Sequence, residues 1–435
     1  AFTGLGTLTL LDCIIKLFPN PVEIPNRKGT DMQGNKVEID ITEDGAPYAF
    51  VFKTVSDQYG KYSYFKVISG RLTPDMSVIN ARTGNIAKLG HLYTMCGKKA
   101  TEVQEVCCGD IAAVSKMADT RTNDSLCDPK HPVNLTAIPF PVANYTMAIA
   151  PKTKGQEDKV ANGLVRLSEE DMTFHCVNNA ETRQMVLTGT GDIQLSVLCA
   201  KLKDRFGVDV TLSPARVPYR EKIRKKVKVE GKHKKQSGGH GQYGHVWIEF
   251  EPCDSEELVF EENVFGGSVP KNFFPAVEKG LRESVQHGVL AGYPVVYLKA
   301  TLVDGSYHPV DSSEMAFKTA ASLAYKAGLA QANPVLLEPI GELHVIVPDS
   351  YTGDVMGDLN KRRGRVVGMN PVEAGEQEIV AEVPMGEMGT YAIDLRSMTQ
   401  GRGMFTYAFL RYEDAPPAVQ EKAIAEAKQL QGEDE

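Results

Sequence analysis

The residues best suited to chemistry fall in three short runs. Ser237, Gly238, Gly239, His240, Gly241, Gln242, Tyr243 and Gly244 form the first, and four of the last seven are glycine. A loop with so little side-chain bulk tolerates positive φ and lets another backbone come close. It can lie along an RNA backbone and donate N–H groups to phosphates or bases. It reads equally as a bare hairpin tip. Asp304, Gly305, Ser306, Tyr307 and His308 form the second, followed by Pro309, Val310, Asp311, Ser312, Ser313 and Glu314. Asp-Gly marks a tight turn, and an exposed imidazole can hydrogen-bond or stack on a base. A loop histidine is also often idle. Lys361, Arg362, Arg363, Gly364 and Arg365 form the third, at a helix end where cations also meet the helix dipole. A phosphate contact and a plain surface role both fit it.

A charge gradient surrounds the first run. Between 220 and 235 stand Arg220, Lys222, Arg224, Lys225, Lys226, Lys228, Lys232, Lys234 and Lys235, opposed by Glu221 and Glu230, for a net +7. The whole 435-residue chain carries −8, so its body is acidic and the strip is a local positive feature. This pattern suits a directed polyanion contact rather than general polyanion binding. A solvated charged strand would look the same.

Other chemistry is missing from the sequence. Gly29, Thr30, Asp31, Met32, Gln33 and Gly34 approach a phosphate-binding loop, but Asn35 stands where its lysine belongs. No serine-hydrolase elbow, zinc-protease helix or calcium loop occurs, and the nine histidines show no metal spacing. The chain is therefore expected to hold no catalytic residue, no metal and no cofactor of its own. Cys13, Cys96, Cys107, Cys108, Cys127, Cys176, Cys199 and Cys253 include no CxxC pair. Buried, reduced thiols in a reducing cytoplasm are the expectation. No apolar run approaches the ~20 residues that span a bilayer, so no membrane role is expected. The start at Ala1, with no Met and no signal peptide, reads like a cut inside a longer protein.

The elements that must position these runs belong to several domains. Residues 1–28 read as one helix with an apolar face of Leu8, Leu10, Leu11, Ile14, Ile15 and Leu17, ended by Pro19, Pro21 and Pro25. Residues 29–131 form the next domain, and from about 46 to 131 short strands punctuated by Gly60, Gly70, Gly84, Gly97 and Gly109 predict a β-barrel or sandwich. Residues 139–213 read β-α-β-β-α-β. Tyr145, Met147 and Ile149 start a strand, and Leu195, Leu198, Cys199, Leu202 and Phe206 form a helical stripe. That order is the ferredoxin-like split motif. Residues 335–412 repeat it, from Leu343, Val345 and Val347 to Phe405, Tyr407 and Phe409. Between them, 214–334 is a different α+β segment. One helix there carries Phe274, Val277, Leu281 and Val285 on one face, with Gly288 past its end. A second is read as starting at Asp311, with Glu314 as a capping-box partner. Residues 413–435 end in an amphipathic helix. The fold class is thus multidomain α+β.

Taken in order, these motifs resemble translation elongation factor G over nearly the whole chain. Lys235 to Val246 looks like the first tip loop of that family's domain IV, and Asp304 to Glu314 like the second. Leu336-Leu337-Glu338-Pro339, Gly353 to Asn360, and Asp394 to Gly403 resemble domain V. Gly109-Asp110-Ile111-Ala112 and Asp124 to Asp128 resemble the domain II barrel. Residues 1–28 look like the last helix of the family's GTPase domain, whose nucleotide motifs are absent from this sequence. The resemblance implies a domain II barrel, a ferredoxin-like domain III, a domain IV like ribosomal protein S5 and a ferredoxin-like domain V. It implies a cytoplasmic, monomeric, ribosome-acting factor that promotes tRNA–mRNA translocation. Its partners would be rRNA, ribosomal proteins, the tRNA–mRNA pair and its own GTPase domain, where GTP and Mg²⁺ would be held. Carried over, Ser237, Gly238, Gly239, His240, Gly241, Gln242, Tyr307 and His308 would touch tRNA, mRNA or rRNA. Arg362, Arg363 and Arg365 would face rRNA. His240 stands where the family usually has Arg, and Gly189 to Leu195 is a loose form of the family's Gly-x-Gly-Glu-Leu-His-Leu. A ribosome-recycling paralogue and a tetracycline-resistance ribosomal protection protein are therefore the alternatives.

Overall fold

Alternating apolar residues at Tyr48–Asp57 and Gly60–Ser69 pair as a long antiparallel hairpin at the middle of an eight-stranded sheet. The computed structural model describes residues 3–57, 60–97, 99–237, 240–372 and 375–433. By contacts the chain divides into two units, 1–178 with 185–213 and 179–184 with 214–435. In the first unit the eight-stranded sheet encloses one core. Val78, from near one end of the strand order, shares it with Leu92 and Val103 from the other end, which is the closure expected of a barrel. Gly60, Gly70, Gly84, Gly97 and Gly109 all have positive φ, between 59° and 138°, as turn glycines should. Residues 29–34 fold as part of a hairpin in which Asp31 accepts N–H bonds from Gln33 and Asn35, so the near-miss phosphate loop is a β-turn.

Residues 145–214 form a four-stranded sheet whose spatial order, 175–179, 184–189, 145–151, 210–214, is that of the ferredoxin-like motif. Helices Glu157–Glu170 and Asp192–Phe206 bury Val160, Leu164, Leu167, Leu195, Leu198 and Leu202 against it. The helix Thr7–Leu17 forms as its periodicity predicts, yet it buries none of its residues.

In the second unit the same topology recurs. Val335–Pro348 is flanked by Glu376–Pro384 and Met404–Asp414, with Arg365–Pro371 beyond. Leu343, Val345, Val347, Val355, Leu359 and Leu395 fill its core. The short strand Arg220–Lys222 also joins this sheet through Val335–Leu337. The basic strip is therefore split between two sheets, a division its unbroken charge did not reveal.

The intervening segment is a four-stranded sheet in the order 227–237, 240–252, 298–306, 259–262, covered on one face by helices Phe274–Ser284 and Glu314–Gln331. Two expectations need correction. The second helix starts at Glu314, and Ser313 is its N-cap, accepting from Ala316 N–H. Asp311 is drawn away to another partner, described below. Gly288 does not cap the first helix, which ends at Ser284 with Val285 as its C-cap. Its N–H pairs with the Tyr293 carbonyl, and a Cβ on it would sit 2.2 Å from the Glu221 carboxyl carbon. All eight cysteines are free thiols, but only Cys127 is buried, and Cys13 and Cys96 are exposed. Burial pushes the Cys127 and Cys176 thiols up to about 11.

Candidate nucleic-acid interface

The hairpin of Val227–Ser237 and His240–Pro252 is the scaffold of the candidate site. Its ladder runs unbroken from Val227↔Phe250 to Ser237↔His240, so Ser237 and His240 are the last paired residues. Gly238 and Gly239 lie outside the described residues. Inward-facing Val229, Val246, Ile248 and Phe250 anchor the root in the core. Further out the core gives way to glycine. A Cβ on Gly231 would lie 2.1 Å from the Ala320 carbonyl oxygen, and one on Gly244 2.3 Å from that of Ala316. These two positions let the hairpin lie directly on the backbone of helix Glu314–Gln331, which stiffens the outer half of the hairpin without a large side chain.

The structure brings the two sequence-predicted loops together. The Asp311 carboxylate accepts the Gly241 N–H at 3.0 Å, and the Asp311 carbonyl accepts the Tyr243 N–H at 2.8 Å. Ser312 Oγ donates to the Tyr243 carbonyl at 3.0 Å. His308 is held by its own loop. Its N–H donates to Ser312 Oγ at 2.8 Å, and its Nδ1 accepts from Asp311 N–H at 3.1 Å. A neutral imidazole in that position carries its proton on Nε2. The His308 side chain is 52% exposed, Tyr307 is 49% exposed and Val310 is 70% exposed. The tip thus offers an aromatic ring, an imidazole and apolar surface to an incoming partner. Gln242 is exposed, with its Oε1 3.0 Å from His233 Nε2.

Just below the tip, Tyr243, Ser306 and His245 form a hydrogen-bonded chain, with Glu230 close to its end, that sequence reasoning missed. Tyr243 Oη and His245 Nδ1 each lie 2.7 Å from Ser306 Oγ, and His245 Nε2 lies 2.9 Å from Glu230 Oε1. Tyr243 and His245 share a strand face, and Ser306 pairs with His245 on the next strand. The i, i+2 spacing was the available signal, but only the register identifies the partner. Asp304 accepts from Ser268 Oγ at 2.7 Å and from Gly305 N–H, and these bonds hold its carboxyl below its usual range.

Charge along the strip is graded. At the root, Arg220 forks Glu181, and Lys222 and Arg224 meet Asp414 at 2.5 and 2.6 Å. Burial opposes ionisation of Asp414, but these two cations outweigh it and hold its carboxyl down. Lys226 meets Glu249 at 2.8 Å and Glu251 at 3.3 Å, and the Glu249 bond leads in raising its pKa. Lys228 sits over the Trp247 ring at 5.9 Å. Towards the tip, Lys232, Lys234 and Lys235 are exposed and have no carboxylate partner among the described residues. Lys225 and Lys228, further in, are likewise exposed without an ion pair among the described residues, so open positive charge runs along the strip and is densest at its outer end.

The third run is arranged differently from its sequence reading. The Arg362 side chain is 12% exposed and is held by Asp358 at 2.7 Å, Asp394 at 2.6 Å and the Glu387 carbonyl at 2.6 Å. Arg363 forks Glu338 at 2.7 and 2.8 Å and reaches Glu387 at 3.1 Å. Arg365 pairs with Glu382 but stays 68% exposed. Two of the three arginines thus tie the helix end to its own domain. Lys361 and Arg365 face solvent, and Arg363 stays partly exposed beside them.

Family models agree with this architecture. Elongation factor G domain 2 matches residues 47–129, and Elongation Factor G, domain III matches 139–214. Elongation factor G, domain IV matches 215–333, and the Elongation factor G C-terminus matches 335–423. A crystal structure of a Thermus thermophilus protein is similar, with a TM-score of 0.78 and 37% sequence identity. That likeness covers 98% of this chain and 61% of the other, so this chain spans about three-fifths of its length. With its domains matched in order and its tip loops joined, the chain belongs to the elongation factor G family and carries that family's domains II, III, IV and V.

Proposed function

We propose that this chain is the ribosome-acting arm of an elongation factor G-like translational GTPase, and that it promotes tRNA–mRNA translocation. The observation that carries this reading is the union of the two loops through Asp311, beside three lysines that have no carboxylate partner among the described residues. Charge draws a polyanion to the outer end of the hairpin. Ordered backbone, Tyr307 and His308 then meet it. Lys361 and Arg365 give the C-terminal domain a smaller face for rRNA. GTP and Mg²⁺ belong, in this reading, to a GTPase domain. The helix Thr7–Leu17 supports such a neighbour, because its Leu8 is 78%, its Ile15 78% and its Leu17 77% exposed, and an apolar helix of this length needs packing to be stable. By itself the chain hydrolyses no GTP and acts as a cytoplasmic monomer.

The test replaces Lys232, Lys234 and Lys235 with Gln in the full-length protein. Ribosome affinity falls, and its salt slope becomes shallower by roughly 0.7–0.9 for each phosphate no longer neutralised. Translocation slows with it. An unchanged rate and slope would reject the tip as the RNA contact. Measuring ribosome recycling on the same variant separates the paralogue reading, which requires that step to fail while translocation is unaffected.

A further inference from the structure

A second positive feature lies away from the tip, in a concave wall that the translocation reading does not use. In the second unit, residues 180–183, Arg216, Arg220, the 286–294 segment, Lys326 and Ala427 line a cleft of about 990 Å³. Cavities that enclose small ligands run from roughly 300 to 1,000 Å³. Cations outnumber carboxylates on its wall. Glu181 is the sole carboxylate on the wall among the described residues, and Arg220 takes both of its oxygens. Arg183, Arg216 and Lys326 are exposed and enter no ion pair among the described residues. Three cations without an ion pair among the described residues line one concavity of a chain whose formal charge is −8. A cleft with low-dielectric walls focuses such a field.

The wall is also preformed. Arg216 donates from its backbone N–H to Gln184 Oε1 at 2.9 Å and from Nη1 to the Thr182 carbonyl at 3.0 Å, which fixes its guanidinium at the cleft. Beneath the 288–294 loop, Glu221 is 1% exposed. It accepts four backbone N–H groups, from Leu290, Ala291, Gly292 and Tyr293, at 2.8 to 3.3 Å. This clasp sets the 288–294 loop rigidly. The loop presents Val289, Pro294 and the Tyr293 ring, itself braced by Tyr219 at 5.4 Å. Cations and a braced aromatic surface therefore share one cavity.

From this arrangement we infer that the cleft binds a nucleoside polyphosphate, with the phosphates among Arg183, Arg216 and Lys326 and the base against Tyr293. Three cations match a polyphosphate better than a single phosphate, and arginine forks suit phosphate oxygens. The volume of the cleft suits a ligand the size of one nucleotide. The site owes nothing to the tip, so it stands or falls separately from the translocation reading.

Titration calorimetry of the purified chain with ADP, GDP, adenosine and a short single-stranded RNA tests the site. ADP or GDP binds and adenosine does not. The double variant Arg183→Gln, Lys326→Gln weakens nucleotide binding by about tenfold or more, since each loss removes a charge-assisted contact. Gln at Lys232 and Lys234 leaves it unchanged. Both changes lie on exposed side chains, and unaltered circular dichroism confirms that the variants fold. Three results overturn the proposal: no heat with millimolar nucleotide, nucleotide affinity indifferent to Arg183 and Lys326, or RNA binding that depends on these residues in the absence of nucleotide binding.

Discussion

At Asp311 a side chain that local pattern assigns to a helix cap is turned across a gap to a backbone N–H seventy residues earlier in the chain. Ser313 can replace it as the cap, whereas without Asp311 the Gly241 N–H is left to water. Asp311→Ala should therefore leave the helix intact and free the outer hairpin. Amide exchange at Gly241 should accelerate about tenfold or more, the effect of losing one bond to a charged acceptor, and exchange at Leu329 should be unmoved. Equal acceleration at both would show that Asp311 stabilises the helix instead. Glu382 makes a different prediction. Hydrogen bonds from Arg411, at 2.7 and 3.0 Å, lead in holding its carboxyl down to about 2, with Arg365 adding to them. A group depressed on folding contributes stability above its ordinary pKa and loses it as pH falls through the depressed one. Wild-type stability against urea should thus decline between about pH 4.5 and 2, and Glu382→Gln should flatten that decline. A parallel decline in both proteins would assign the acid sensitivity elsewhere.

Among the elements, the hairpin and the helix beneath it are joined by absence of side chain. Gly231 and Gly244 face backbone carbonyls at distances no Cβ can share. Gly244→Ala must lift the strand or shift the helix, at a cost of about 1–3 kcal/mol, as for other overpacked contacts. The urea midpoint of the variant reads this directly. Gly357, within helix Thr352–Lys361, is the counterpart, because a Cβ there meets nothing within 4 Å. Gly357→Ala should stabilise by about 0.5–1 kcal/mol through lost unfolded-state entropy and better helix propensity. If both alanines acted alike, close packing at Gly244 would not be the reason for its glycine. The strand and helix stripes themselves were legible from periodicity, as Leu195, Leu198 and Leu202 show by all being buried. The helix boundary at 311–314 was not, because Asp311, Ser312 and Ser313 are all acceptable caps and tertiary demand selected among them.

For the whole molecule, separate cores are the governing feature. The barrel core around Phe65 and Leu126, the domain III core around Leu164 and Leu198, and the domain IV core around Phe250 and Phe317 form distinct apolar clusters. Calorimetry of the chain should accordingly resolve more than one unfolding transition, with a calorimetric enthalpy above the van't Hoff value. A single transition with equal enthalpies would mean that the domains unfold as one. Charge is distributed on the same scale. The positive strip spans two sheets, with Arg220, Lys222, Arg224 and Lys226 paired to carboxylates at its root and Lys232, Lys234 and Lys235 left open at its outer end.

The sequence alone determined the domain order, the element types and the location of both tip loops. Those properties follow from local periodicity, turn glycines and charge, each readable within a few residues. Tertiary structure alone decided that the loops meet at Asp311 and that Arg362 and Arg363 are engaged by Asp358, Asp394 and Glu338. It also placed Ser306 between Tyr243 and His245. Each of these depends on strand register and on which carboxylate a fold delivers to a given cation. A hydrogen bond falls away within an ångström, so contacts between residues far apart in the chain are fixed only once the backbone has closed.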